Sequence, residues 1–123
     1  MPLARALRYG GAPEDELVVS VLLGGMADCD DTCLVARGGM ESLAMAKDLA
    51  KRLLDAGGSG SPTGAALYSG MIAEFSRVRL SPGGSADLCA AALFLADAEA
   101  QAGFLEEAAR PDRREHRACL ALA

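Results

Sequence analysis

Residues 81–96 read SPGGSADLCAAALFLA, and the fold class turns on this stretch. Ser81, Pro82 and the Gly83–Gly84 pair interrupt the pattern before them, and Asp87 is the only charge through Ala96. Ala and Leu dominate the run and no β-branched residue enters it, so it is predicted as a helix. A serine cap, a proline and an acid are all suited to a helix start. Apolar on almost every side in the first half of residues 86–102, such a helix is expected at the centre of a bundle. A second reading of SPGGS stands beside the first. Glycines bare the backbone amides where a helix dipole favours negative charge, and that combination also makes an anion site.

Outward from this stretch the composition agrees. The chain has 123 residues, 51% of them hydrophobic, which is enough for one modest core. Val, Ile and Thr are few beside Ala and Leu, so an all-α domain is expected. A net charge of −5, with no basic block among aromatics, gives nucleic acid no footprint. The uncharged run over 88–96 is too short to span a bilayer, and MPLARALRYGG lacks the apolar stretch of a signal peptide. A cytoplasmic protein is expected, with no membrane and no nucleic-acid partner. Cys29, Cys33, Cys89 and Cys119 lack the density of a disulfide framework, and reduced thiols are expected.

Glycine and proline divide the chain into helical segments. RYGGAPEDE ends a short first helix and starts a second, with Pro13 at the first helical position and Glu14, Asp15 and Glu16 in the first turn. Leu17, Val18, Val21, Leu22 and Gly25 recur at helical spacing and predict one buried face. Residues 41–56 form an amphipathic helix stopped by Gly57 and Gly58. Ser61 and Pro62 cap and open a fourth, running through Met71, Ile72, Phe75 and Val78. One helical domain over 1–102 is expected, followed by a charged tail over 103–123 in which His116 is read as a surface residue.

Three polar clusters sit between helices and can carry chemistry. In DCDDTC, carboxylates Asp28, Asp30 and Asp31 are crowded, which favours either a bound cation or base, or helix capping with Thr32. In ARGG, Arg37 beside Gly38 and Gly39 lets a guanidinium and backbone amides face one phosphate, or simply makes a turn. In SPGGS, Ser81 to Ser85 offer the anion site described above. Asp87 coexists with a phosphate there best across a divalent cation.

DDTCLVARGG, the Gly-Gly ending the next helix and SPGGSADLCAAALFL resemble, in order and spacing, the C-terminal part of the triphosphoribosyl-dephospho-CoA synthase family, over roughly residues 3 to 100. That family serves citrate lyase and malonate decarboxylase, and the malonate decarboxylase branch looks closer. The resemblance implies an all-helical transferase that joins ATP to 3′-dephospho-CoA with release of adenine. It makes Asp30 and Asp31 candidates for base work, with Asp30, Asp31 and Asp87 as ligands of Mg²⁺. It makes Thr32, Arg37, Gly38, Gly39, Ser81, Pro82, Gly83, Gly84 and Ser85 candidates for substrate binding. Two departures stand out: the family's upstream motifs have no counterpart here, and Ala36 replaces the His or Tyr before Arg-Gly-Gly. The expected partners are therefore a missing N-terminal half or a second copy. The alternative is a non-catalytic interaction or nucleotide-binding module derived from the enzyme.

Overall fold

The computed structural model describes residues 2–109 as five helices: α1 (Pro2–Tyr9), α2 (Glu14–Asp28), α3 (Thr32–Asp55), α4 (Pro62–Val78) and α5 (Gly83–Ala109). The fold is all-α, as the composition requires. Residues 110–123, with His116 and Cys119, lie outside the described part.

The helix ends follow local chemistry. Ser61 accepts the Gly64 amide at 2.9 Å, and Pro62 opens α4 as the first helical residue. Pro13 stands one position outside α2 in extended geometry, and the three acids after it fill the first turn. α3 is two limbs rather than one rod, because Gly39 (φ 72°, ψ −174°) breaks it between Gly38 and Met40. That backbone region is open essentially to glycine alone. The ARGG cluster thus lies between helical limbs, as its glycines predict.

Packing is layered around α2. One core joins α2, α3 and α4 through Leu23, Met26, Leu34, Leu43, Leu53, Met71 and Phe75. A second joins α1, α2 and α5 through Ala4, Leu17, Val21, Cys89, Ala92 and Ala96. Among the described residues the α4 backbone comes close to α3 alone, while α2 packs on α1, α3 and α5. The central position expected for residues 86–102 therefore belongs to α2. The reason is side-chain size: α5 meets its neighbours through Cys89, Ala92 and Ala96, whereas Leu88 (49% exposed), Phe94 (71%) and Leu95 (46%) face outward. Burial of α2 is also wider than one face, since Leu23, Met26 and Ala27 join Leu17 and Val21 while Val18 stays partly exposed.

Arg8 ties three helices at the opposite end of α2 from Asp31, with Nη1 2.6 Å from Glu14 and Nε 2.8 Å from Asp97. A second pair, Arg5 and Glu99, joins α1 to α5 at the surface. Exposed pairs of this kind contribute about 0–1 kcal/mol each. Apolar burial does more of the holding.

Candidate functional site

The site starts from one carboxylate. Asp31 is the cap of α3 and is only 3% exposed. Its Oδ1 accepts the amides of Cys33 at 2.9 Å and Leu34 at 3.4 Å, which any N-cap aspartate does. What the local sequence does not announce is the rest. Oδ1 also accepts the Gly84 amide at 3.3 Å, and Oδ2 accepts both the amide and the hydroxyl of Ser85 at 2.8 Å. One side chain thus caps two helices, α3 and α5, and sits at the positive ends of both dipoles. Burial pushes the Asp31 carboxyl up, but the bonds from Ser85, Cys33 and Gly84 outweigh it and hold the group below the usual range.

This arrangement lines up the α4–α5 connection with the first limb of α3. A methyl group on Gly38 would lie 2.9 Å from Leu80 Cδ2, one on Gly83 would lie 3.0 Å from Cys33 Sγ, and one on Gly84 would lie 3.1 Å from Asp31 Oδ1. As numbers rise from 80 to 84, the facing residues fall from 38 to 31. Residues 80–84 therefore run antiparallel to residues 31–38, with close approaches at Leu80–Gly38, Gly83–Cys33 and Gly84–Asp31. Gly38 is needed for that approach, since its added methyl would also stand 2.1 Å from Ser42 Oγ. All three clusters picked out in the sequence meet along this one seam.

The candidate residues divide into a buried and an exposed set. Ser85 is fully buried and both its donors go to Asp31, so it faces the protein interior and not a substrate. The amides of Gly84 and Ser85, part of the expected anion site, are likewise occupied by the chain's own carboxylate. Outward stand Asp30, Thr32, Arg37, Gly38, Gly39, Ser81 and Asp87, with Pro82, Gly83 and Gly84 half-buried. Asp30 is paired with Lys47, a partner 17 positions along the chain that no local motif signals. The crowding of Asp28, Asp30 and Asp31 is resolved by sending them apart: to solvent, to Lys47 and to the double cap.

Metal binding fares differently. Among the described residues no three His, Cys, Asp or Glu side chains gather where they could hold an ion. Asp30, Asp31 and Asp87 are not a ligand set, because Asp31 spends both oxygens on five donors and Asp30 turns toward Lys47. Beside the seam, an apolar cleft of about 410 Å³ opens between α1, α2 and α5, lined by Leu3, Val21, Leu88 and Ala92, with Asp28 and Cys29 at its edge. Cys89 lies at its floor, and burial pushes that thiol up, away from thiolate chemistry. Among the described residues no helix is long and apolar enough to cross a membrane.

With this geometry in hand, comparison with known proteins gives a consistent result. Residues 1–105 match the profile described as CitG: ATP:dephospho-CoA triphosphoribosyl transferase. The chain belongs to that family. Its relatives include proteins named probable 2-(5″-triphosphoribosyl)-3′-dephosphocoenzyme-A synthase. The one from Stutzerimonas stutzeri is 39% identical over 95 residues, 77% of this chain and 33% of the relative. That from Pseudomonas aeruginosa is 42% identical over 88 residues, 72% of this chain and 30% of the relative. That from Azotobacter vinelandii is 38% identical over 95 residues, 77% of this chain and 32% of the relative. The chain spans about a third of the length of the curated relatives it matches. No solved structure matches it.

Proposed function

We propose that this chain contributes one wall of the active site of a triphosphoribosyl-dephospho-CoA synthase. In that reaction a ribose 2′-hydroxyl of 3′-dephospho-CoA attacks C1′ of the ATP ribose. A C–O bond forms, the bond to adenine breaks, and adenine leaves with a proton while the hydroxyl proton passes to a base. The product is the precursor of an acyl carrier prosthetic group, and the resemblance of the motifs favours malonate decarboxylase over citrate lyase. The observation that carries the reading is the seam: Asp31 and Leu80 hold the DDT, RGG and SPGG corners side by side in a chain of this family.

The residues take different parts in it. Asp31, spent on five bonds and held below the usual carboxylate range, is a poor proton acceptor, and we assign it to positioning the two helix ends. Asp30, outward beside Lys47, is the carboxylate we assign to the hydroxyl proton. Arg37, with Gly38, Gly39, Thr32 and Ser81, is assigned to the phosphates. Among the described residues none form a Mg²⁺ site, because Asp30 and Asp87 stand apart from any third ligand. Magnesium would enter with ATP, and its protein ligands would lie in the remaining two-thirds of the family fold.

That remainder is the partner we infer, packed on the outward face of α5 that carries Phe94 and Leu95. A second copy is the other occupant of this face, and a non-catalytic module is the other functional reading. Adenine release from ATP and 3′-dephospho-CoA separates them. The chain combined with the rest of a relative's sequence is expected to turn over, with Arg37→Ala and Asp30→Asn each losing at least tenfold, the scale of one missing charge-assisted contact or base. Near-normal rates in both variants would remove these roles.

A further inference from the structure

We propose that Arg79 is a second guanidinium, acting with Arg37, that grips a linear polyphosphate across the seam. The proposal rests on the triphosphate-binding role given to Arg37 above. Arg79 ends α4 in the left-handed conformation (φ 55°, ψ 41°), and among the described residues it is the only non-glycine at positive φ. A glycine would occupy that position without the steric cost of a Cβ. Its neighbour Leu80 is buried and packs at Gly38, the residue after Arg37. Each arginine is thus one residue from the same contact. Both are exposed, and among the described residues neither takes part in an ion pair, whereas Arg77 is bound by Glu74 through two bonds.

In a chain of net charge −5, two guanidiniums flanking one packed contact stand out. A monophosphate can satisfy one fork, but a chain of phosphates can engage both, since each guanidinium binds an anionic oxygen pair as a fork. Ser81, two residues on from Arg79 in sequence, is exposed as well and offers a hydroxyl. The ligand class is therefore a tri- or polyphosphate, free or carried on a nucleoside. Arg79 as a mere helix-end charge, favourable to the dipole of α4, is the competing account.

The substitution Arg79→Gly distinguishes the two, because it removes the guanidinium while giving the backbone the residue this conformation favours. Titration calorimetry with inorganic tripolyphosphate and with orthophosphate, on the full 123-residue chain, is the measurement. Tripolyphosphate is expected to bind more tightly than orthophosphate. Arg79→Gly and Arg37→Ala should each weaken it about five- to tenfold, with the melting temperature of Arg79→Gly equal to or above that of the parent chain. Arg79→Lys should lose part of the affinity. Unchanged tripolyphosphate binding in Arg79→Gly, or no preference over orthophosphate in the parent chain, overturns the proposal. A lower melting temperature with unchanged affinity assigns Arg79 to the helix end alone. Adenine release by the complemented enzyme is read separately. Turnover with no tripolyphosphate preference sinks the grip and leaves the proposed reaction standing, while binding without turnover does the reverse.

Discussion

Replacing Asp31 by Asn tests the double cap directly, because the side chain keeps its shape and loses one acceptor and its charge. The carboxylate accepts three short bonds, from Cys33 N at 2.9 Å and from Ser85 N and Oγ at 2.8 Å, and two longer ones at 3.3 and 3.4 Å. An amide oxygen placed at Oδ2 keeps Ser85 but turns an NH₂ toward the Cys33, Leu34 and Gly84 amides. Flipped the other way, it serves those three and leaves the Ser85 amide facing a donor, although the hydroxyl can rotate to accept. Either way at least one well-made bond from a buried or half-buried amide becomes a donor against a donor. A bond to a charged group is worth about 1.5–3 kcal/mol, and a stranded buried donor costs about 1–3 kcal/mol more. The expected loss is about 3–4 kcal/mol, a large part of the stability of a domain this size. Urea denaturation followed by circular dichroism measures it. The pH dependence supplies a second readout. Because the folded carboxyl lies below its ordinary value of 3.8, its contribution is complete above that value and is lost as pH falls from there toward the folded value. The parent chain should lose stability over that acid window, and Asp31→Asn should lack this component. A variant within about 1 kcal/mol of the parent near neutral pH would show that the two helix ends are held by something else.

Two further substitutions probe the fold around the site. Gly39→Ala forces a side chain into a backbone region reserved for glycine and should cost about 1–3 kcal/mol in the same denaturation assay; a neutral result would mean that the break in α3 relaxes freely. Phe94→Ser combined with Leu95→Ser alters only the outward face of α5, so helicity and folding should be preserved while self-association or assembly with the rest of the family fold weakens in sedimentation; unaltered association would place the interface elsewhere.

The sequence was most informative where structure is decided within one turn. Ser61 and Pro62 open α4 because a hydroxyl and a fixed φ suffice, with no help from distant residues. The Gly57–Gly58 stop and the break at ARGG follow from glycine's backbone freedom in the same way. Legibility failed where the deciding contact is remote. The start of α5 was expected near Ala86 and lies at Gly83, because a carboxylate more than fifty residues earlier holds Gly84 and Ser85 in helical geometry. Local reading left Asp31 open between capping and metal or base chemistry. Nothing nearby shows that it caps two helices, or that Lys47 draws Asp30 outward. The centre of the bundle is hidden for a related reason: average hydrophobicity puts α5 inside, but side-chain volume decides, and small residues carry its buried stripe. Arg79 has no signature at all, since a left-handed arginine is visible only in the backbone angles.

The bond from Ser85 to Asp31 joins residues 54 apart in sequence, and so it closes a long loop holding all of α3 and α4. Helical hairpins can form early from neighbouring contacts, whereas this closure carries the entropy cost of a long loop. The joining of the two helix ends is thus expected to come late as the chain folds. Any anion that recognises the finished corner will bind the native state alone, so its occupancy adds to the free energy separating the native chain from its half-folded forms.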